Sequence, residues 1–235
     1  MPTIISIEGN IGSGKSTYVK ILKEYIDENY PQMAYFLEEP VSTWQNINSE
    51  DGKNIIECFY ANQEKYSFSF QMLAYISRLA LLQEAIQKGY EYIFTERCVF
   101  TDKNVFAKML FDSGKIDKIN YEIYNKWFNH FLGDISDYKY IYIKTNPNIA
   151  HERVTKRARS GEEIPLDYLI DCSRYHDNWL ENIDSTKLYI LDGDSKKNYC
   201  FEDYLDWINI ATNLIVTKKT NKFENTNLSN IEMVI

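Results

Sequence analysis

Apolar positions along this chain fall into two alternating patterns. Short continuous runs rich in Ile, Tyr, Phe or Leu occur at 3–8, Ala34–Glu38, Glu91–Thr95, Tyr138–Lys144 and Lys187–Leu191. Continuous rather than alternating apolarity suits strands buried on both faces, so these five predict a parallel sheet. Between them apolar residues recur at helical spacing near 15–29, 65–88, 101–111, 119–132, 147–158, 166–182 and 199–215. Asn146-Pro147 is a helix start, a capping side chain followed by proline at the first helical position. Pro165 is expected to open the next helix in the same way. Asp112-Ser113-Gly114 and Gly133-Asp134 carry stop signals. There is no internal repeat and no dividing linker. One α/β domain over 1–216 is expected, with a polar, Asn-rich and mobile tail at 217–235.

Composition narrows the class. A net charge of −8 over 235 residues argues against a nucleic-acid polymer as partner, which would call for a basic stripe. Cys58, Cys98, Cys172 and Cys200 are widely spaced and form no C-x-x-C, which favours reduced thiols over disulfides or zinc. No signal or transit pattern precedes the first strand, and no run approaches a membrane span. A cytoplasmic protein without membrane contact is the expectation.

Chemistry enters at residues 9–16, Gly-Asn-Ile-Gly-Ser-Gly-Lys-Ser, which fit G-x-x-x-x-G-K-[ST] between a strand and a helix. In that context glycines let backbone N–H groups turn inward around phosphate oxygens. Lys15 adds charge near the β- and γ-phosphates, the Ser16 hydroxyl can ligate Mg²⁺, and the helix start favours an anion. The fold class is therefore a three-layer P-loop NTPase type, a five-stranded parallel sheet between helices with a short basic lid.

Ligands of parallel α/β sheets bind beyond the carboxyl ends of the strands. After the second strand comes Glu38-Glu39-Pro40-Val41-Ser42-Thr43-Trp44. The bland reading is a solvated acidic pair; the sharp one is a carboxylate that takes a proton from an attacking hydroxyl. After the third comes Glu96-Arg97-Cys98, either a surface ion pair or a metal-holding carboxylate beside an arginine that bridges donor and acceptor. Arg153, Lys156, Arg157 and Arg159, followed by Gly161-Glu162-Glu163, are either cations suiting a helix end or a basic lid closing over triphosphate. The aromatic helix 65–76 reads as core until Gln71, whose amide needs partners that a nucleobase edge can supply.

Together these motifs resemble the deoxyribonucleoside kinases, the family of deoxycytidine, deoxyguanosine and insect multisubstrate kinases. The resemblance spans about residues 3–215. It is carried by the phosphate loop, Glu39-Pro40-Val41-x-x-Trp44, Tyr60, Tyr66-Ser67-Phe68-Ser69-Phe70-Gln71, Glu96-Arg97, the Arg-x-x-x-Arg-x-Arg lid and Ile164-Pro165-Leu166-x-Tyr168-Leu169. It implies transfer of the γ-phosphate of ATP, with Mg²⁺, to the 5′-hydroxyl of a deoxynucleoside. Glu39 then matches the base, with Arg97 and Lys15 as its catalytic companions. Gly9, Asn10, Ile11, Gly12, Ser13, Gly14, Lys15, Ser16, Thr17, Arg153, Arg157 and Arg159 match the ATP site. Ser16 and Glu96 match the metal site. Trp44, Tyr60, Phe70, Gln71, Arg78, Asp102, Phe106 and Glu162 join Glu39 and Arg97 around the nucleoside. Glu163 is the alternative to Glu162 for the 3′-hydroxyl, and the loop at Asp192 to Lys197 matches that beside the donor adenine.

The family's serine after Glu-Arg is Cys98 here, which weakens the expected support of Arg97. Arg78 and Asp102 match the charged pair of the deoxycytidine and purine kinases, so thymidine is expected to be a poor substrate. A homodimer through helices 65–88 and 119–132 is also implied. Two rivals are a thymidylate-type monophosphate kinase and an inactive nucleotide-binding subunit. Glu39 stands where the first would need cations for its acceptor phosphate. The second should have lost Lys15, Glu39 or lid arginines, and none is lost.

Overall fold

A computed structural model of the chain describes residues 1–133, 137–158, 163–195 and 201–215. Five parallel strands form one sheet in the order β2-β3-β1-β4-β5: β1 Thr3–Gly9, β2 Ala34–Leu37, β3 Tyr92–Glu96, β4 Tyr138–Lys144 and β5 Leu188–Asp192. The fold is thus the expected α/β three-layer type. Strand bounds shift from expectation by about one residue, and Glu38 lies outside β2 while Glu96 lies inside β3.

Strand parity sorts the two faces. Ile5 and Ile7 pack with Phe94, Ile141 and Ile143 against α1 (Lys15–Asn29) and the helix at 205–215. Ile4, Ile93, Tyr138, Tyr140 and Tyr142 pack against α4 (Gln63–Gln87) and α9 (Leu166–Leu180) on the other face. Burying each such side chain contributes about 1.5–3 kcal/mol. The same parity decides the chemistry. Glu96 shares its face with Phe94, so its carboxylate turns toward α1.

Several elements depart from the sequence expectation. Short helices α2 (Val41–Gln45) and α3 (Ile55–Ala61) were not anticipated. The stretch expected as one helix at 101–111 is three pieces: α5 (Val99–Thr101), a π-helix (Asp102–Ala107) and α6 (Lys108–Asp112). The last helical region opens as a 3₁₀ turn at Phe201–Tyr204. Pro147 occupies the start of α8 (Pro147–Arg157) with Asn146 capping it, as expected. Pro165 instead sits one place earlier, as the extended N-cap of α9. Helix α7 (Lys118–Phe131) packs beside α4. No helix among the described residues is long and apolar enough to cross a membrane. The expected tail at 217–235 lies outside the described residues.

Candidate active site

The carboxyl ends of β1, β2 and β3 open into one cavity of about 810 Å³. That is the upper end of the size range for ligand pockets. Its floor is the turn between β1 and α1. Gly12 has φ +80°, and a Cβ there would stand 2.4 Å from the Ala150 carbonyl oxygen of α8. At Gly9 a Cβ would meet the Ile143 carbonyl oxygen at 2.7 Å. Ile11 to Thr17 line the cavity, but Gly9 and Asn10 do not. Asn10 instead donates its side-chain amide to the Leu169 carbonyl at 2.8 Å, tying the loop to α9.

Lys15 is buried and donates to the Asn10 carbonyl at 2.7 Å. Burial and the nearby Arg97 charge pull its pKa down to about 7. Ser16 Oγ donates to Glu96 Oε1 at 2.7 Å, so the hydroxyl and carboxylate expected to hold a metal are adjacent. Two hard oxygen donors beside a phosphate loop fit Mg²⁺, whose other ligands would be phosphate oxygens and water. Among the described residues no group of three or more His, Cys, Asp or Glu could hold an ion alone.

Glu39, just past β2, is the centre of the opposite half. Arg97 Nη1 donates to its Oε1 at 2.7 Å, and Arg78 Nη2 donates to the same oxygen at 3.1 Å. Burial alone would raise the Glu39 pKa. The charges of Arg97, Arg78 and Lys15 outweigh it and bring the carboxyl down to about 2. Among the described residues no hydrogen bond reaches Oε2. Arg97 reaches this position through an unusual backbone. Its N–H extends the sheet by donating to the Ile7 carbonyl at 3.0 Å, then its φ turns to +59°. A left-handed conformation costs a non-glycine residue about 1–2 kcal/mol, and strain of this kind concentrates at functional sites.

The rest of the pocket is aromatic with a few polar atoms. Trp44, Tyr60, Phe70 and Phe106 line it with Gln71, Ala74, Arg78 and Asp102. Phe70 stands edge-on to Trp44 at 5.5 Å, and the Arg97 guanidinium lies 5.2 Å from the Phe106 ring centre. Gln71 is buried, and its Oε1 has no partner among the described residues. Arg78 Nε donates to Asp102 Oδ2 at 3.0 Å. Burial raises the Asp102 carboxyl to about 6, against the opposing pull of Arg78.

Arg153, Lys156 and Arg157 of α8 also line the cavity, with Gly193, Asp194, Tyr204 and Trp207. Arg159, Glu162 and the end of the loop to Lys197 lie outside the described residues. Glu163, the alternative to Glu162, is exposed.

Cys98 forms no side-chain hydrogen bond to Arg97 among the described residues. Its Sγ lies 3.6 Å from Thr101 Oγ1, while its N–H donates to that hydroxyl at 3.1 Å. It therefore supports Thr101 rather than Arg97. Thr101 and Ser6 hydroxyls both serve the buried carboxylate of Glu8. Sequence reading also missed the Arg78–Glu39 contact, for which a separation of 39 positions left no local signal. Tyr168, quoted only as part of a motif, lines the cavity.

Known proteins with similar sequences agree with this geometry. The deoxynucleoside kinase family model matches residues 5–215. The chain is 34% identical to deoxycytidine kinase 2 of Gallus gallus over 234 residues, covering 86% of each. It is 37% identical over 180 residues to a probable deoxycytidine kinase of fowlpox virus, covering 75% of this chain and 71% of the viral one. Human deoxycytidine kinase is 32% identical over 198 residues, covering 75% of this chain and 74% of its own. With a phosphate loop and a clamped carboxylate meeting in one cavity, and with this similarity over most of its length, the chain belongs to the deoxynucleoside kinase family.

Proposed function

We propose that this kinase phosphorylates deoxycytidine or purine deoxynucleosides at the 5′-hydroxyl, with ATP as donor, and uses thymidine poorly. The observation that carries the base preference is the Arg78–Asp102 pair beside the unpartnered Gln71 Oε1. Asp102 and Gln71 Oε1 accept hydrogen bonds, which cytosine, adenine or guanine can answer with an amino or ring N–H. Thymine offers a carbonyl in place of the cytosine amine. Its 5-methyl gains nothing beside a buried charge pair.

The 5′-oxygen forms a bond to the γ-phosphorus as the bond to the β-phosphate oxygen breaks and ADP leaves. The hydroxyl proton passes to Glu39 Oε2. A carboxylate held this far below the ordinary range is a weak base. It takes the proton late, once bonding to phosphorus has made the hydroxyl acidic. Lys15, Arg97 and the arginines of α8 spread the transferring charge. Ser16 and Glu96 would hold Mg²⁺, which supplies charge neutralisation on the phosphates when bound. Tyr60 crowds the sugar edge, which disfavours a 2′-hydroxyl.

The reading extends to a homodimer. Ile76 of α4 and Ile119, Ile123, Trp127 and Phe131 of α7 are large apolar side chains left exposed. A shared two-fold interface would cover them. Free, buried Cys58, Cys98 and Cys172 accord with a reducing compartment such as the cytoplasm.

A screen of deoxynucleosides with labelled ATP tests the preference. A wild-type kcat/KM highest for thymidine would overturn it while leaving the kinase in place. Arg78→Met with Asp102→Ala should raise thymidine use relative to deoxycytidine. Light scattering tests assembly: a stable 27.8 kDa monomer at micromolar concentration would refute the dimer.

A further inference from the structure

We infer that Arg78 is a positioning residue for Glu39, so that recognition of the base acts on the rate of phosphoryl transfer and not on affinity alone. This rests on the reading of Glu39 as the base and of Asp102 as part of the pocket for the nucleobase. The guanidinium of Arg78 holds three groups from three different parts of the fold. Nε donates to Asp102 Oδ2 on the π-helix at 3.0 Å. Nη1 donates to the Glu96 carbonyl at the end of β3 at 2.8 Å. Nη2 donates to Glu39 Oε1 beyond β2 at 3.1 Å.

The group is planar and rigid, so it cannot move one arm without moving the others. It is also confined. The Arg78 side chain is 8% exposed, and its guanidinium lies 6.0 Å from the Trp44 ring centre. Trp44 is itself fixed by its indole N–H, which donates to Ser77 Oγ at 2.9 Å. Glu39 has no comparable restraint of its own. It lies in the turn between β2 and α2, and both of its described side-chain hydrogen bonds converge on one oxygen. If Arg78 tilts, Arg97 alone holds the carboxylate, which is then free to turn about that single contact.

A nucleobase that satisfies Asp102 and Gln71 leaves the Arg78 plane where it is. One that presents the wrong edge to Asp102 disturbs Nε, and the disturbance reaches Glu39 through Nη2. Misplacement of a catalytic group by about 1 Å costs roughly 10²-fold in rate. Gln71 supplies the internal contrast. It lines the same base pocket, yet no hydrogen bond joins it to Arg78 or Glu39 among the described residues.

The test compares Asp102→Asn with Gln71→Leu, using single-turnover rates at saturating deoxynucleoside and calorimetric Kd for the same compound. Both variants should bind more weakly. Asp102→Asn should also slow the transfer step by about 10-fold or more, and by clearly more than Gln71→Leu does. Equal slowing in the two variants, or weaker binding alone in Asp102→Asn, would overturn the coupling. Should Asp102→Asn not fold, the wild-type enzyme decides with a series of natural deoxynucleosides. Mismatched bases should show slower transfer at saturation, and a single common rate with differing Kd would refute the inference. A wild-type protein that turns over no deoxynucleoside would sink the kinase reading beneath it, a separate result from either.

Discussion

In the acceptor half of the cavity, opposite charges already answer one another. Arg78 and Arg97 hold Glu39, Arg78 holds Asp102, and aromatic rings close around them. In the other half, Lys15, Arg153 and Lys156 form no ion pair with a carboxylate among the described residues. Lys15 rests on a backbone carbonyl, Arg153 donates to the Ser195 carbonyl at 3.5 Å, and Lys156 is exposed. One half is balanced within the protein; on the proposed reading, Lys15, Arg153 and Lys156 in the other would be balanced by phosphates. The difference follows from the ligands. A neutral nucleoside cannot neutralise buried charge, so the protein must do so itself. A triphosphate brings its own anions, and cations that were already paired would bind it less well.

The largest effect expected from this contrast is at Lys15. Lys15→Ala should abolish phosphoryl transfer while leaving deoxynucleoside affinity within a few-fold, as calorimetry would show. Loss of both together would mean that the halves are not separable. Glu39→Gln is the matching change on the acceptor side. It keeps the shape and removes the base, so kcat should fall by about 10²-fold or more. Donor binding should persist, and near-wild-type turnover would show that the base is misassigned.

The halves should also titrate in opposite directions. Asp102 is raised to about 6, so acid converts it to the neutral form and Arg78 loses its charged partner. kcat/KM for the nucleoside should fall as pH drops through about 6, and Asp102→Asn should erase that limb. Lys15 is lowered to about 7 in the free enzyme, so alkali removes a charge the phosphates need. kcat/KM for ATP should fall as pH rises above about 7. Bound phosphate favours the ammonium, so the limb should be weaker in kcat. The smallest effect expected is that of salt. Raising ionic strength screens exposed charges far more than buried pairs, so the Kd for ATP should weaken while that for the deoxynucleoside barely moves.

The parts of this design visible in the sequence are those with a local cause. All five strands are short apolar runs, and a buried parallel strand leaves that mark directly. The phosphate loop announces itself by spacing. Though it was not anticipated, helix α3 was readable, since Asn54 and Glu57 form a capping box around its start. Helix α2 was not, because Val41-Ser42-Thr43 is a sequence of poor helix formers held in place by packing of Trp44. The π-helix at Asp102–Ala107 carries no composition signal, and the left-handed backbone of Arg97 arises at a residue with no preference for it. Among the site residues, Arg78 and Asp102 could be paired from helix register and the resemblance. That Arg78 also holds Glu39 depends on how α4 crosses the end of β2, and only the folded chain shows it.

The placement of the tryptophans gives each half an optical reporter. Of the four in the chain, Trp44 and Trp207 line the cavity, on the proposed reading at its nucleoside and donor ends. Both are buried, so their emission answers to the contacts around them rather than to bulk solvent. Trp44 lies against a guanidinium whose surroundings change when a base arrives, while Trp207 stands edge-on to Tyr18 and Tyr204. Replacing Trp127, Trp179 and either Trp44 or Trp207 with phenylalanine leaves one reporter at a time. Occupancy of the two proposed sites can then be followed separately without a label, at stopped-flow speed, and the order in which the two ligands enter becomes a matter of which variant's indole changes first.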